Sequence, residues 1–187
     1  MNLAIIKRLD QFYEIISKSE FTSNKNKLDC NDGINLFFDF CNNLKKNTGK
    51  IYIIGNGGSA GVAAHATTDF FNVGIKASTL HESSLFSCLA NDYGYEKVFS
   101  KQVEKLVDER DILIAISSSG NSMNIRNAVL AANKKKTLTI TLSGFKANNP
   151  LRELGNFNVW LNSCDYGLVE IGHQFILHNV ADRFNEA

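Results

Sequence analysis

The sequence predicts an α/β protein with a doubly wound, parallel, five-stranded sheet, flanked by helices and preceded by two N-terminal helices. Two observations carry this prediction. From Lys50 onward, short apolar runs typical of buried strands alternate with segments of helical periodicity. The runs 51–54 and 111–116 each end in a glycine- or serine-rich turn that opens a helix. Strands that alternate with helices in this way build parallel sheets with helices on both faces.

The two N-terminal helices are predicted from apolar residues that recur at helical spacing over 5–16 and 34–44. The polar stretch 22–27 between them lacks periodicity and is predicted to be a loop without a strand. Both helices carry more large apolar side chains than one buried stripe needs. We therefore expect 1–48 to be a helical pair used in packing between subunits, and 49–187 to be the α/β core.

The core elements follow in order along the chain. The pattern predicts strands at 51–54, 77–80, 111–116, 137–142 and 157–161, with helices from Ser59, over 84–90, 95–106 and 121–133, and at the C-terminus. Pro150, the only proline, falls in a predicted loop and interrupts no element.

Length and composition limit the possible domain organisation and partners of the protein. A chain of 187 residues, of which 44% are hydrophobic and 21% charged, is predicted to form one domain over 1–187. The net charge of +1 gives no indication of nucleic acid as a partner. The four cysteines form no CxxC pair and are expected to be reduced thiols. No secretion signal and no membrane-spanning segment is visible, which predicts a cytoplasmic protein without a membrane partner.

Both polar turns are suited to an anion. In Gly55-Asn56-Gly57-Gly58-Ser59 the glycines allow a sharp bend, and Ser59 is placed to cap the next helix, whose free N–H groups favour a phosphate. A tight connection without a ligand explains this turn alone equally well. The second turn has serines at four of its six positions, 117–122, and a pair of polar turns beyond neighbouring strands is expected to face one crevice. Asn121 or Ser122 taken singly could be a helix cap.

These turns, with His65 and Ala90-Asn91-Asp92-Tyr93-Gly94-Tyr95, resemble the sugar isomerase (SIS) fold and within it the phosphoheptose isomerase family. The resemblance implies an aldose–ketose isomerase that converts sedoheptulose 7-phosphate to D-glycero-D-manno-heptose 7-phosphate through an enediol, towards nucleotide-activated heptose. It also implies a homotetramer with active sites between subunits and one zinc ion per subunit. The substrate-binding residues that it implies are Asn56, Gly57, Gly58, Ser59, Asp69, Asn91, Asp92, Ser117, Ser118, Ser119, Ser122 and Glu170.

The isomerisation needs a base and a second group that handles the oxygens. His65 and Asp69 are four residues apart on a predicted helix, so they share one face about 6 Å apart along the axis. By the resemblance, Asp69 stands where the family has Glu as base and metal ligand, and His178 is the second catalytic residue. The zinc ligands that it implies are His65, Asp69, Glu170 and His178.

By the resemblance, Glu170 stands where the family has a glutamine. Its negative charge should strengthen the binding of a divalent cation and oppose a second anion nearby. Glu170 and His178 are eight residues apart, about 12 Å along a straight helix, too far to meet at one ion. Either the last helix begins after Glu170, or the ligands come from different subunits. His173 is expected to be a hydrogen-bonded core histidine.

Two further departures concern the substrate, because the family's Arg is missing at Val73 and its Asp at Gly167. Lys76 or Asp165 could replace them, and a different sugar phosphate is one alternative. Another is a non-catalytic tetrameric scaffold, resembling the replication-initiator-associated relatives of the family. A sugar-phosphate sensor would need a DNA-binding segment. The ionisable Asp69 and His178 favour the enzyme.

Overall fold

The computed structural model describes residues 4–186, so residues 1–3 of the expected N-terminal helical pair lie outside it. The helices in this range are α1 (Ile5–Ser17), α2 (Cys30–Lys46), α3 (Gly58–Asn72), α4 (Ser83–Tyr93), α5 (Val98–Leu106), α6 (Met123–Lys134) and α7 (Tyr166–Glu186), with a 3-10 turn at Tyr95–Lys97. The strands are β1 (Glu20–Ser23), β2 (Asn26–Leu28), β3 (Ile51–Ile54), β4 (Ala77–Thr79), β5 (Ile112–Ser117), β6 (Leu138–Ser143) and β7 (Phe157–Trp160).

All these strands form one sheet in the order β2-β1-β7-β6-β5-β3-β4. The five strands from β7 to β4 are parallel, which confirms the predicted doubly wound arrangement. The sheet has seven strands instead of the predicted five, because β1 and β2 extend it with antiparallel pairing. The chain leaves β3 for β4 on one side and then returns to place β5 on the other side of β3. The strand order therefore reverses between β3 and β5, and open α/β sheets bind ligands at such a switch point.

The prediction of a loop without a strand at 22–27 is wrong, because these residues belong to a β-hairpin. β1 pairs antiparallel with both β2 and β7. Asn24 and Lys25 form the two-residue tip with φ angles of +46° and +70°, the left-handed conformation that tight hairpin turns require. Phe21 is the only apolar side chain of β1, and it is fully buried. A strand this short, with one apolar residue, has no visible period of two.

The core lies on both faces of the sheet, because successive side chains of β3 point to opposite sides. Ile51 and Ile53 pack with α2, α3 and α7, whereas Tyr52 and Ile54 pack with α5 and α6. Every residue of β3 and β5 is buried, as expected of strands covered by helices on both sides. Within residues 4–186, no helix combines the length and the apolar composition needed to span a bilayer.

Candidate active site

The two polar turns lie side by side at the switch point, because β3 and β5 are parallel neighbours. Together they line a cavity of about 250 Å³. The structure thus gathers five of the residues that the resemblance assigns to substrate binding: Ser59, Ser117, Ser118, Ser119 and Ser122. Asn56, Gly57, Gly58 and Glu170 also line this cavity, and so does Tyr166, which the sequence analysis missed.

The glycine turn requires glycine for its backbone conformation and for a close contact with α7. Gly57 is the N-cap of α3 with φ +54°, a conformation that glycine adopts without strain. Ser59 lies inside the first turn of α3 and makes no capping hydrogen bond, so the expectation that Ser59 caps this helix is wrong. A Cβ added at Gly58 would collide with the carboxylate of Glu170. The free start of α3 therefore opens directly into the cavity, with an acidic side chain beside it.

The serine turn leaves hydroxyl groups free to bind a ligand. The hydroxyl of Ser117 donates to that of Ser122 at 3.3 Å, and Ser122 makes no side-chain cap to α6. The Ser118 hydroxyl is buried without a hydrogen-bond partner among the described residues. A buried hydroxyl without a partner is costly, so one that borders a cavity suggests a ligand that accepts or donates there.

His65, Asp69 and His178 form a second group. Nδ1 of His178 lies 3.0 Å from Oδ2 of Asp69, and Nε2 of His65 lies 3.5 Å from Oδ1. One nitrogen of each histidine and a carboxylate oxygen all lie within 4.8 Å of one another. The hydrogen bond that the His178 ring donates to Asp69 raises the pKa of His178, because the carboxylate stabilises the imidazolium. Two imidazoles and a carboxylate are also a donor set that fits zinc.

Glu170 does not join this group within one chain. α7 runs unbroken from Tyr166, so the alternative in which the last helix begins after Glu170 is wrong. Glu170 lies against Gly58, while His178 lies against Asp69 two turns further along the same helix. The other alternative, in which the ligands come from different subunits, stays a prediction.

Asn91 and Asp92 are not brought to the cavity either. Both are exposed near the end of α4, where the Asn91 side chain donates to Asp92 at 2.9 Å. The Cys88 thiol also donates to Asp92, at 3.5 Å. Within a single chain, these residues interact with one another instead of with the serine turn.

Three remaining expectations concern single residues. His173 is fully buried and its Nε2 lies 3.1 Å from the carbonyl oxygen of Ser143, which confirms a core histidine. Burial lowers the pKa of His173 to about 4. Asp165, a possible substitute for the missing acid, forms an ion pair with Arg8 at 2.9 Å. Lys76 is exposed on the surface.

Fold and site together define the class of protein. The sequence model of the SIS domain family matches residues 22–144, a range that contains both turns of the cavity as well as His65 and Asp69. The structure of a phosphoheptose isomerase from Neisseria gonorrhoeae is similar over 97% of this chain and 93% of its own, with a TM-score of 0.80 and 27% identity.

Two relatives with higher sequence identity show which family within this class the chain belongs to. A phosphoheptose isomerase from Campylobacter jejuni is 37% identical over 156 residues, which are 79% of this chain and 82% of the relative. The phosphoheptose isomerase of Geobacter sulfurreducens is 35% identical over 140 residues, 71% of this chain and 74% of that one. The chain belongs to the SIS domain family and, within it, to the phosphoheptose isomerases. It is an isomerase of the sugar phosphate class.

Proposed function

We propose that the enzyme converts sedoheptulose 7-phosphate to D-glycero-D-manno-heptose 7-phosphate through an enediol, in the synthesis of nucleotide-activated heptose. The observation that carries the proposal is the single cavity lined by both polar turns, together with the Asp69–His178 pair. The names of the relatives support the heptose phosphate as substrate.

The phosphate is proposed to bind in the cavity between the turns. Neutral hydroxyls of the serine turn and the N–H groups at the start of α3 supply donors without a fixed positive charge. The unpartnered hydroxyl of Ser118 supports this assignment, since a phosphate oxygen would satisfy it. Asn91 and Asp92 would reach sugar hydroxyls only if they come from another subunit.

Asp69 is proposed as the base and His178 as the acid. The Asp69 carboxylate takes a proton from the carbon next to the ketose carbonyl, while the His178 imidazolium gives a proton to the carbonyl oxygen, which yields the enediol. Return of a proton to the former carbonyl carbon, with loss of the hydroxyl proton from the neighbouring oxygen, gives the aldose. The raised pKa of His178 keeps the imidazolium available nearer neutral pH.

A zinc ion is proposed at His65, Asp69 and His178, one per subunit. When bound, the ion would supply Lewis-acid polarisation of substrate oxygens. The fourth protein ligand of the proposed set, Glu170, would have to come from a neighbouring subunit. Asp69 would then have to serve both as ligand and as base, as the resemblance implies. His178 would hold the ion as a neutral imidazole, so it could act as the imidazolium acid only while it is not bound to the ion.

The proposed assembly is a cytoplasmic homotetramer whose active sites lie between subunits. Glu170 and His178 lie about 12 Å apart along α7, so one chain holds the phosphate cavity well away from its own acid–base pair. Ile5, Leu9 and Tyr13 form an exposed apolar stripe on α1, and Ile171 and Phe175 are exposed on α7. Apolar faces of this kind suit contacts between copies of the chain.

The test is turnover by the pure protein, with and without added zinc, on sedoheptulose 7-phosphate and a panel of other sugar phosphates. We expect the seven-carbon substrate to give the aldose product. Turnover of a different member only would contradict the heptose assignment. No turnover of any member, even with zinc, would favour the non-catalytic scaffold. Metal content of protein purified without chelator and size in solution test the ion and the assembly.

A further inference from the structure

Asn124, which the sequence analysis did not single out, links the two turns of the cavity. Asn56 follows β3 in the glycine turn, and Asn124 lies in the first turn of α6, after the serine turn. Nδ2 of Asn56 donates to Oδ1 of Asn124 at 2.9 Å, and Nδ2 of Asn124 donates to Oδ1 of Asn56 at the same distance. The two amides are thus paired in both directions between the two turns.

The pair is held firmly on both sides. Asn124 is only 2% exposed, and its Oδ1 also accepts the backbone N–H of Ile125 at 3.0 Å. The hydroxyl of Tyr95 donates to Oδ1 of Asn56 at 3.1 Å. The Asn56 oxygen therefore accepts two hydrogen bonds and its nitrogen donates one. Amides satisfied in this way resist rotation, because another rotamer breaks these hydrogen bonds and leaves the buried polar atoms of Asn124 unpaired.

We infer that Asn124 is a positioning residue that fixes the spacing of the two phosphate-binding turns by clamping Asn56. The inference rests on the proposed phosphate site. It also gives Asn56 a different role from the substrate-binding one that the resemblance implies. The Asn56 side chain then positions the serine turn through Asn124 instead of contacting the sugar. Since the serine hydroxyls and the start of α3 must converge on one phosphate, loss of the clamp separates the two sets of donors.

The experiment measures the affinity of the whole protein, as purified, for inorganic phosphate by calorimetry. We expect Asn124→Ala to weaken phosphate binding about tenfold, since the variant loses the three hydrogen bonds of the Asn124 side chain and part of that loss falls on the bound state. KM should rise by a similar factor while kcat changes little. Tyr95→Phe, which removes one exposed donor, should weaken binding only about threefold.

Asn133→Ala is the matched control, because Asn133 is another hydrogen-bonded amide on α6. Its side chain donates to the carbonyl of Leu154 and accepts from the Thr139 hydroxyl, both at 2.9 Å and outside the cavity. This variant should lower the melting temperature without changing phosphate affinity. If it weakened phosphate binding as much as Asn124→Ala, the effect would be general destabilisation and the inference would fall.

A double-mutant cycle with Asn56→Ala separates positioning from direct contact. If the amides act as one clamp, the double variant binds phosphate and substrate no more weakly than either single variant. Additive losses, or unchanged phosphate affinity in Asn124→Ala, would overturn the inference while leaving the phosphate site intact. Failure of the unaltered protein to bind phosphate would instead overturn the proposed site, and the inference with it.

Discussion

Oδ2 of Asp69 lies 3.0 Å from Nδ1 of His178, although 109 residues separate them in the chain. The contact exists because α3 and α7 pack side by side in the same direction, with Gly58 next to Glu170 at one end and this pair further along. It joins the one carboxylate and the one imidazole that the proposed proton transfers use.

The first prediction concerns this pair. Asp69→Asn keeps the size of the side chain but removes the base, so we expect turnover to fall by roughly 10²–10⁴ while phosphate affinity stays within about twofold. Steady-state rates and phosphate calorimetry measure the two effects. Asp182→Asn is the control, because Asp182 also lies beside His178, at 3.7 Å, yet is exposed. Unaltered turnover in Asp69→Asn would exclude Asp69 as the base.

The second prediction concerns Glu170, whose carboxylate lines the phosphate cavity. Removal of its charge by Glu170→Gln should strengthen phosphate binding by roughly three- to tenfold at low ionic strength. The gain should shrink in about 1 M salt, where the screening length falls to about 3 Å. Glu153→Gln, on an exposed residue outside this cavity, should change little. Weaker phosphate binding by Glu170→Gln would mean that the carboxylate acts through a bound cation.

The third prediction is a pH dependence of stability from His173. Burial lowers its pKa from 6.5 to about 4 in the folded state, so between these values only the unfolded chain binds the proton. The free energy of unfolding should therefore fall as the pH drops below 6.5, with His173 contributing a loss of roughly 2 kcal/mol by pH 5.

Denaturant titrations at several pH values measure this loss. Other histidines also contribute to the pH dependence, because burial lowers the pKa of His81 and the pKa of His178 is raised. The pH dependence of the unaltered protein must therefore be compared with that of a variant that lacks His173. His173→Gln should be less stable at pH 7.5 and show a clearly smaller decline towards pH 5. A decline of the same size in both proteins would show that other groups cause it.

The fourth prediction concerns the hairpin tip. Lys25 has φ +70°, which costs a side-chain residue more than glycine, and Asn-Gly is the favoured pair in two-residue hairpins. Lys25→Gly should raise the free energy of unfolding by about 0.5 kcal/mol after the entropy of glycine in the unfolded chain is deducted. Lys27→Gly, within β2, should lower it instead. Equal destabilisation by both changes would argue against a strained tip.

The core of the fold was predictable because its signals are local. The runs that became β3 and β5 are continuous and apolar, and both led directly to their polar turns. The hairpin at 20–28 was not predictable, because β1 is stabilised by pairing with β7, more than 130 residues away. Its single buried residue, Phe21, gives no periodicity.

The candidate site was predictable in parts. The serine and glycine turns could be placed at one edge of the sheet, because parallel neighbours end together. The Asn56–Asn124 pair could not, since nothing in the sequence shows that two amides 68 residues apart will face each other. The position of Glu170 beside Gly58 likewise depends on the rotation of α7 against α3, which periodicity alone does not determine.

The hairpin also determines which strand forms this edge of the sheet. β1 occupies the backbone donors and acceptors of β7 that would otherwise form an open margin of four buried residues. The outermost strand is then β2, with three residues and the charged Lys27, a poor template for strands of other molecules. A copy that lost residues 20–28 would expose β7 and become prone to aggregation through added strands.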